Sequence, residues 1–95
     1  MYLAHSYPYT YTDLQRYLDK LEQDPKKRTR MRRKPMCQTI AGNNCDLLII
    51  TTFGSEPEAI KARKGIVISS RVHPGETGAS WMVKGLIDFL VAGNI

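Results

Sequence analysis

Two side chains three positions apart have the chemistry of metal ligands: His73 offers an imidazole nitrogen and Glu76 a carboxylate oxygen. Pro74-Gly75 between them lets the backbone bend, so the two groups can converge on one ion without helical geometry. Zinc accepts both donor types, and a catalytic zinc uses about three protein ligands, leaving a position for water or substrate. The same pair has a plainer reading, in which His73 packs or hydrogen-bonds and Glu76 caps a helix. Spacing alone leaves both open. Arg71, just before the pair, is a candidate for steering an acidic substrate, or for an ion pair with a nearby carboxylate.

The elements that must position these residues are legible from periodicity. Ile66, Val67 and Ile68, extending to Val72, read as a buried strand of the kind found in parallel sheets. From about Thr77 the apolar positions Trp81, Met82, Gly85, Leu86, Phe89 and Leu90 return at helical spacing. Thr77 or Glu76 stands near the N-cap of that helix, and Gly93-Asn94 is a suitable stop. The expected ligand loop therefore joins a strand end to a helix start, where open α/β sheets gather their ligands. Trp81 reads as core, and Lys84 with Asp88 as an exposed pair one helical turn apart.

Upstream, Leu14, Tyr17, Leu18 and Leu21 predict a helix over 12–23, with Thr10 or Thr12 as its cap and Asp13 in the first turn. Asp24-Pro25 ends it. The aromatic stretch 7–12 before it reads as an arm packed on a core. Residues 36–41, the turn signal Gly42-Asn43-Asn44 and residues 46–53 read as a strand, a turn and a second strand, paired as a hairpin. Residues 54–64 read as an exposed polar loop. The order is thus α, β, β, β, α.

The chain's 95 residues suit one small domain, and its formal charge of +5 is local. Every position of 26–34 is basic except Thr29 and Met31, and removing those seven cations leaves the remainder at −2. This basic loop has three readings: a solvated loop, a nuclear-localisation or nucleic-acid patch, or a contact for acidic protein tails. No aromatic interrupts it, so stacked bases lack a platform and nucleic acid is disfavoured. No apolar run reaches the roughly 18 residues of a membrane span, and a secretory leader is not evident, so a cytosolic product is expected. Cys37 and Cys45 fit neither a disulfide scaffold nor a CxxC metal pair, and read as reduced packing cysteines.

The run Arg71-Val72-His73-Pro74-Gly75-Glu76-Thr77, followed by residues 79–85, resembles the cytosolic carboxypeptidases, a family of zinc metallocarboxypeptidases. Residues 2–5, 7–15 and 39–43 resemble the start of the same catalytic domain, in the same order. The resemblance implies a fold: the leading part, first strands and helices only, of a three-layer α/β domain with a mixed sheet, spanning residues 1–95 with the basic loop 26–34 inside it. It implies zinc as cofactor and His73 and Glu76 as two of its ligands.

It further implies that the third ligand, a histidine, the glutamate base and the arginines that hold the substrate carboxylate all lie beyond residue 95, and that a β-sandwich domain precedes the catalytic one. His5 matches the arm before the first helix and is not recruited as a ligand. The implied activity is removal of C-terminal or side-chain glutamates from proteins such as polyglutamylated tubulin. The chain alone is expected to be inactive and marginally stable. The alternative is a non-catalytic module that binds acidic protein tails or a partner chain.

Overall fold

The structure is a computed structural model that describes residues 1–54 and 56–92. Its first element, α1 (Tyr11–Gln23), starts where a capping box forms: the Asp13 amide donates to Thr10 Oγ1 at 3.0 Å, and the Thr10 amide donates to the Asp13 carboxylate at 2.9 Å. Of the two threonines expected as cap, Thr10 takes the role. Leu18 and Leu21 are buried along one stripe, with Leu14 and Tyr17 packed beside them. Asp24 then turns the chain, its carboxylate accepting the amides of Lys26 at 2.9 Å and Lys27 at 3.3 Å.

The hairpin forms, with its first strand earlier than expected. β1 (Met31–Gln38) pairs antiparallel with β2 (Asn44–Ile50), Met31 facing Ile50 and Arg33 facing Leu48. Its turn is closed by the Thr39 amide on the Asn43 carbonyl at 2.8 Å and the Gly42 amide on the Thr39 carbonyl at 2.9 Å. Gly42 has φ +83°, a conformation in which a side chain would meet its own backbone.

The basic run is consequently not one solvated loop. Lys27–Thr29 forms a single 3₁₀ turn, and residues 31–34 belong to β1. Strand alternation turns Met31 and Arg33 toward α1, and Met31 is buried in the core. That core consists of Leu18, Leu21, Met31 and Val91, with Leu48, Ile50 and Ile87 packed against it.

The expected third strand does not form. Among the described residues the sheet has two strands, and residues 66–72 run unpaired, with Ile66 85%, Val67 96% and Val72 70% exposed. A parallel strand gains its stability from neighbours on both edges and cover on both faces; β1 and β2 pair with each other and give residues 66–72 neither. The observed architecture is therefore a two-stranded antiparallel sheet with helices. Part of the loop expected over 54–64 is a short helix, α2 (Pro57–Lys61), which Pro57 starts at the position where its fixed φ suits the first turn.

The last helix is α3 (Thr77–Ala92); its expected stop at Gly93-Asn94 lies outside the described residues. The face it buries is only partly the one expected: Leu86 and Leu90 are half-buried, but other positions reach deepest. Val91 and Ile87 meet the core, whereas Met82 is 79% and Phe89 58% exposed. Trp81, expected as core, is 38% exposed and packs edge-on against Tyr9 at 4.7 Å and Tyr7 at 5.4 Å. The helix is apolar on nearly every side, so its sequence does not single out one face. The cysteines are not core residues either: Cys37 is exposed and Cys45 half-buried, both as free thiols.

Candidate metal-ligand loop

The loop before α3 is built by a tight turn. The Glu76 amide donates to the His73 carbonyl at 3.1 Å, and the Ala79 amide donates to the Glu76 carbonyl at 3.1 Å, passing the chain into the helix. The turn brings the two side chains together in a hydrogen bond, His73 Nδ1 to Glu76 Oε1 at 3.1 Å, which is what the plainer reading of the pair expects of His73. Both side chains face solvent, 73% and 58% exposed. Two donors bound about 2.1 Å from a tetrahedral zinc stand roughly 3.4 Å from each other. The observed separation is close to that value, and both donor types are ones zinc accepts, so the pair fits half of a zinc site. Among the described residues no group of three or more His, Cys, Asp or Glu side chains is arranged to hold a metal ion.

Arg71 holds this loop from behind. Its guanidinium donates to the Pro74 carbonyl from Nε at 3.1 Å and from Nη2 at 3.0 Å, and to the Tyr9 carbonyl and Ser80 Oγ from Nη1. The ion pair foreseen for it is replaced by backbone carbonyls. Its own φ is +55°, a region disfavoured for a residue with a side chain, and the four contacts hold it there. The partners Tyr9 and Ser80 carry no sequence signal, because the acceptor at Tyr9 is a main-chain oxygen 62 positions away.

Of the stretch expected as a packed aromatic arm only Tyr9 is buried, against the start of α3; Tyr7 is 77% exposed and residues 11–12 belong to α1. Trp81 Nε1 donates to the Tyr7 carbonyl at 3.3 Å, and the Ser6 and Thr77 hydroxyls meet at 2.5 Å. Ser70 Oγ donates to the Ala79 carbonyl at 2.9 Å, tying the unpaired segment to the same helix. His5 is exposed in this arm.

The other expected pair forms with a third partner. Lys84 Nζ lies 3.4 Å from Asp88 and 4.9 Å from the Tyr17 ring, whose hydroxyl donates to Asp88 Oδ1 at 2.5 Å. Burial, followed by the hydrogen bond to Asp88 and that carboxylate's charge, pushes the Tyr17 phenol far up, so it remains a donor at any physiological pH.

The basic segment divides by role. Arg33 reaches Asp19 and Glu22 at 2.7 Å each, Asp46 at 3.4 Å, and the Gln15 amide oxygen. Partial burial opposes its charge, yet the hydrogen bonds it donates to the three carboxylates outweigh that and raise its pKa. Arg30 donates to the Val91 carbonyl near the end of α3, and Arg32 stacks over Phe53 at 4.2 Å. Lys26, Lys27, Arg28 and Lys34 make no side-chain ion pair among the described residues, and they are the cations available to an anionic partner.

Sequence comparison places these features in context. The chain is 42% identical over 93 residues to human cytosolic carboxypeptidase 2, 43% over 91 residues to its zebrafish (Danio rerio) counterpart, and 43% over 93 residues to bovine cytosolic carboxypeptidase 3. These matches cover 96–98% of this chain and 9–13% of the relatives, so it spans about a tenth of their length. No family model matches the chain, and no solved structure matches it. No described helix is long and apolar enough to cross a membrane.

Proposed function

Along nearly its whole length this chain is homologous to one segment of the cytosolic carboxypeptidases, and from that premise we propose that it supplies the His73–Glu76 half of a zinc site in a metallocarboxypeptidase domain. The observation that carries the proposal is the 3.1 Å approach of His73 Nδ1 to Glu76 Oε1 on an exposed turn. In this reading residues 1–95 are the leading part of a three-layer α/β domain, and residues 66–72 become a paired strand only when the rest of its sheet is present. The names of the relatives support a cytosolic setting.

Zinc, when bound, polarises a scissile carbonyl and lowers the pKa of a water molecule. The residues of this chain act around it. His73 presents an imidazole nitrogen and Glu76 a carboxylate oxygen, the turn between them sets their separation, and Arg71 fixes the turn through Pro74. Arg71 is thus a positioning residue more than the substrate contact first considered. The third ligand, the base and the carboxylate clamp are expected from residues outside this chain, which leaves it inactive alone. The proposed substrates are glutamate-rich C-termini or glutamate side chains of proteins such as polyglutamylated tubulin, drawn by Lys26, Lys27, Arg28 and Lys34.

The same four cations favour a second reading, a module that binds acidic tails without cleaving them. Zinc titration by calorimetry, run beside peptidase assays on a polyglutamate peptide, tests the first reading. Weak zinc binding lost in His73→Ala and in Glu76→Gln, with no turnover, is the expected result. Turnover by the purified chain that disappears in His73→Ala would overturn the inactivity, and zinc binding unchanged in both variants would overturn the ligand assignment.

A further inference from the structure

The β1–β2 ribbon contains a register shift with a chemical consequence. From Met31 facing Ile50 to Pro35 facing Asp46 the pairing runs without interruption; past Pro35 it slips by one, so that Cys37 faces Cys45 and Gln38 faces Asn44. Met36 is the extra residue of a β-bulge. In the unshifted register Met36 would face Cys45, and Cys37 would face Asn44. The bulge therefore sets the only two cysteines of the chain opposite each other.

Directly opposed residues of an antiparallel pair project from the same face, with Cα atoms about 4.5–5.5 Å apart. A disulfide accepts Cα separations of about 4.4–6.8 Å. Cys37 is exposed and open to a reagent in solution, while Cys45 is half-buried behind it. We propose that Cys37 and Cys45 form a reversible redox pair, closed to a cross-strand disulfide by a small-molecule disulfide of the glutathione class. The inference does not depend on the carboxypeptidase reading.

The exchange balances as two successive displacements. The Cys37 thiolate attacks one sulfur of oxidised glutathione, forming a mixed disulfide and releasing one glutathione thiolate. Cys45 gives its proton to solvent, attacks the Cys37 sulfur and releases the second. Two protein thiols are oxidised and one small-molecule disulfide is reduced. Burial first, then the neighbouring Cys37, pushes the Cys45 thiol up, so exposed Cys37 is the entry point and Cys45 the resolving group.

Closure would lock the bulged register and ring the turn from residue 37 to 45. It would also stiffen the attachment of the hairpin tip to α1, where the Asn44 amide donates to the Tyr11 hydroxyl at 3.1 Å and that hydroxyl donates to the Asn44 carbonyl at 3.2 Å. Disulfides of cytosolic proteins are usually transient and redox-sensing, which fits an exposed pair.

The test is equilibration of the chain in reduced and oxidised glutathione, with products identified by intact mass and peptide mapping, in native buffer and in concentrated urea. The expected result is an intramolecular Cys37–Cys45 link whose effective concentration is at least about tenfold higher in native buffer than in urea. Cys37→Ser and Cys45→Ser should each stop at a mixed disulfide with glutathione. Equal effective concentrations in the two solvents, a product that is mainly a dimer between chains, or a wild-type product that remains a mixed disulfide would each overturn the proposal.

Discussion

At the scale of single residues the decisive side chain is Arg71. Its guanidinium spans the Pro74 and Tyr9 carbonyls while its backbone sits at φ +55°, so it couples the His73–Glu76 turn to Tyr9. Hydrogen bonds from a charged donor contribute about 1.5–3 kcal/mol each when partly shielded from water. Arg71→Met should free the turn without disturbing the distant core of Leu18 and Leu21. The expected outcome is amide exchange at Glu76 faster by about tenfold, with the α1 amides unchanged. Unchanged exchange at Glu76 would remove Arg71 from the positioning role. Lysine should not rescue, because one ammonium cannot reproduce the planar fork that binds Pro74.

At the scale of elements, α1 depends on its reciprocal cap. Thr10→Ala should cost about 1 kcal/mol of stability, read as a lower midpoint in urea unfolding. The cap is also sensitive to acid. Hydrogen bonds from the Thr10 backbone and then its side chain hold the Asp13 carboxyl below the usual carboxylate range, and those from the Lys27 and Lys26 amides do the same for Asp24 beyond the other end of the helix. A carboxylate whose pKa is lowered on folding contributes stability that is fully present above its unfolded value and is lost as pH falls through the folded one. Helical circular dichroism should therefore hold steady from neutral pH to the ordinary carboxylate range and decline below it. The decline should be shallower in Asp13→Asn; an identical profile in that variant would show that the cap carries none of the dependence.

At the scale of the whole molecule, the fold is open. Its radius of gyration is 15.2 Å, against about 12 Å for a compact domain of this length, and its extents are 54 × 30 × 23 Å. Ile66, Val67 and Ile68 on the unpaired segment, with Met82 and Phe89 on α3, leave apolar surface in contact with water. Unpaired strand backbone beside such surface favours association. Sedimentation should show self-association that grows with protein concentration, and the thermal midpoint should move with it. Val67→Lys together with Met82→Lys should reduce association without lowering the midpoint at low concentration, since both side chains are largely exposed. A midpoint independent of concentration in the wild-type chain would contradict this account.

Read alone, the sequence determined the elements whose signals are local. The capped helix ending at Asp24-Pro25, the Gly42 turn and the start of the last helix near Thr77 all rest on contacts within a few positions, as does the turn at Pro74-Gly75. Only the tertiary structure decided what depends on distant partners. It showed that residues 66–72 stay unpaired, because a strand exists only with a neighbour. It showed that α3 buries Ile87 and Val91, because a helix apolar on most of its circumference takes its buried face from what packs on it. It gave Arg71 the Tyr9 carbonyl, and through a one-residue bulge it set Cys37 opposite Cys45. The His73–Glu76 turn is local, set by a hydrogen bond across three positions, and it is present in the fold as the sequence suggests.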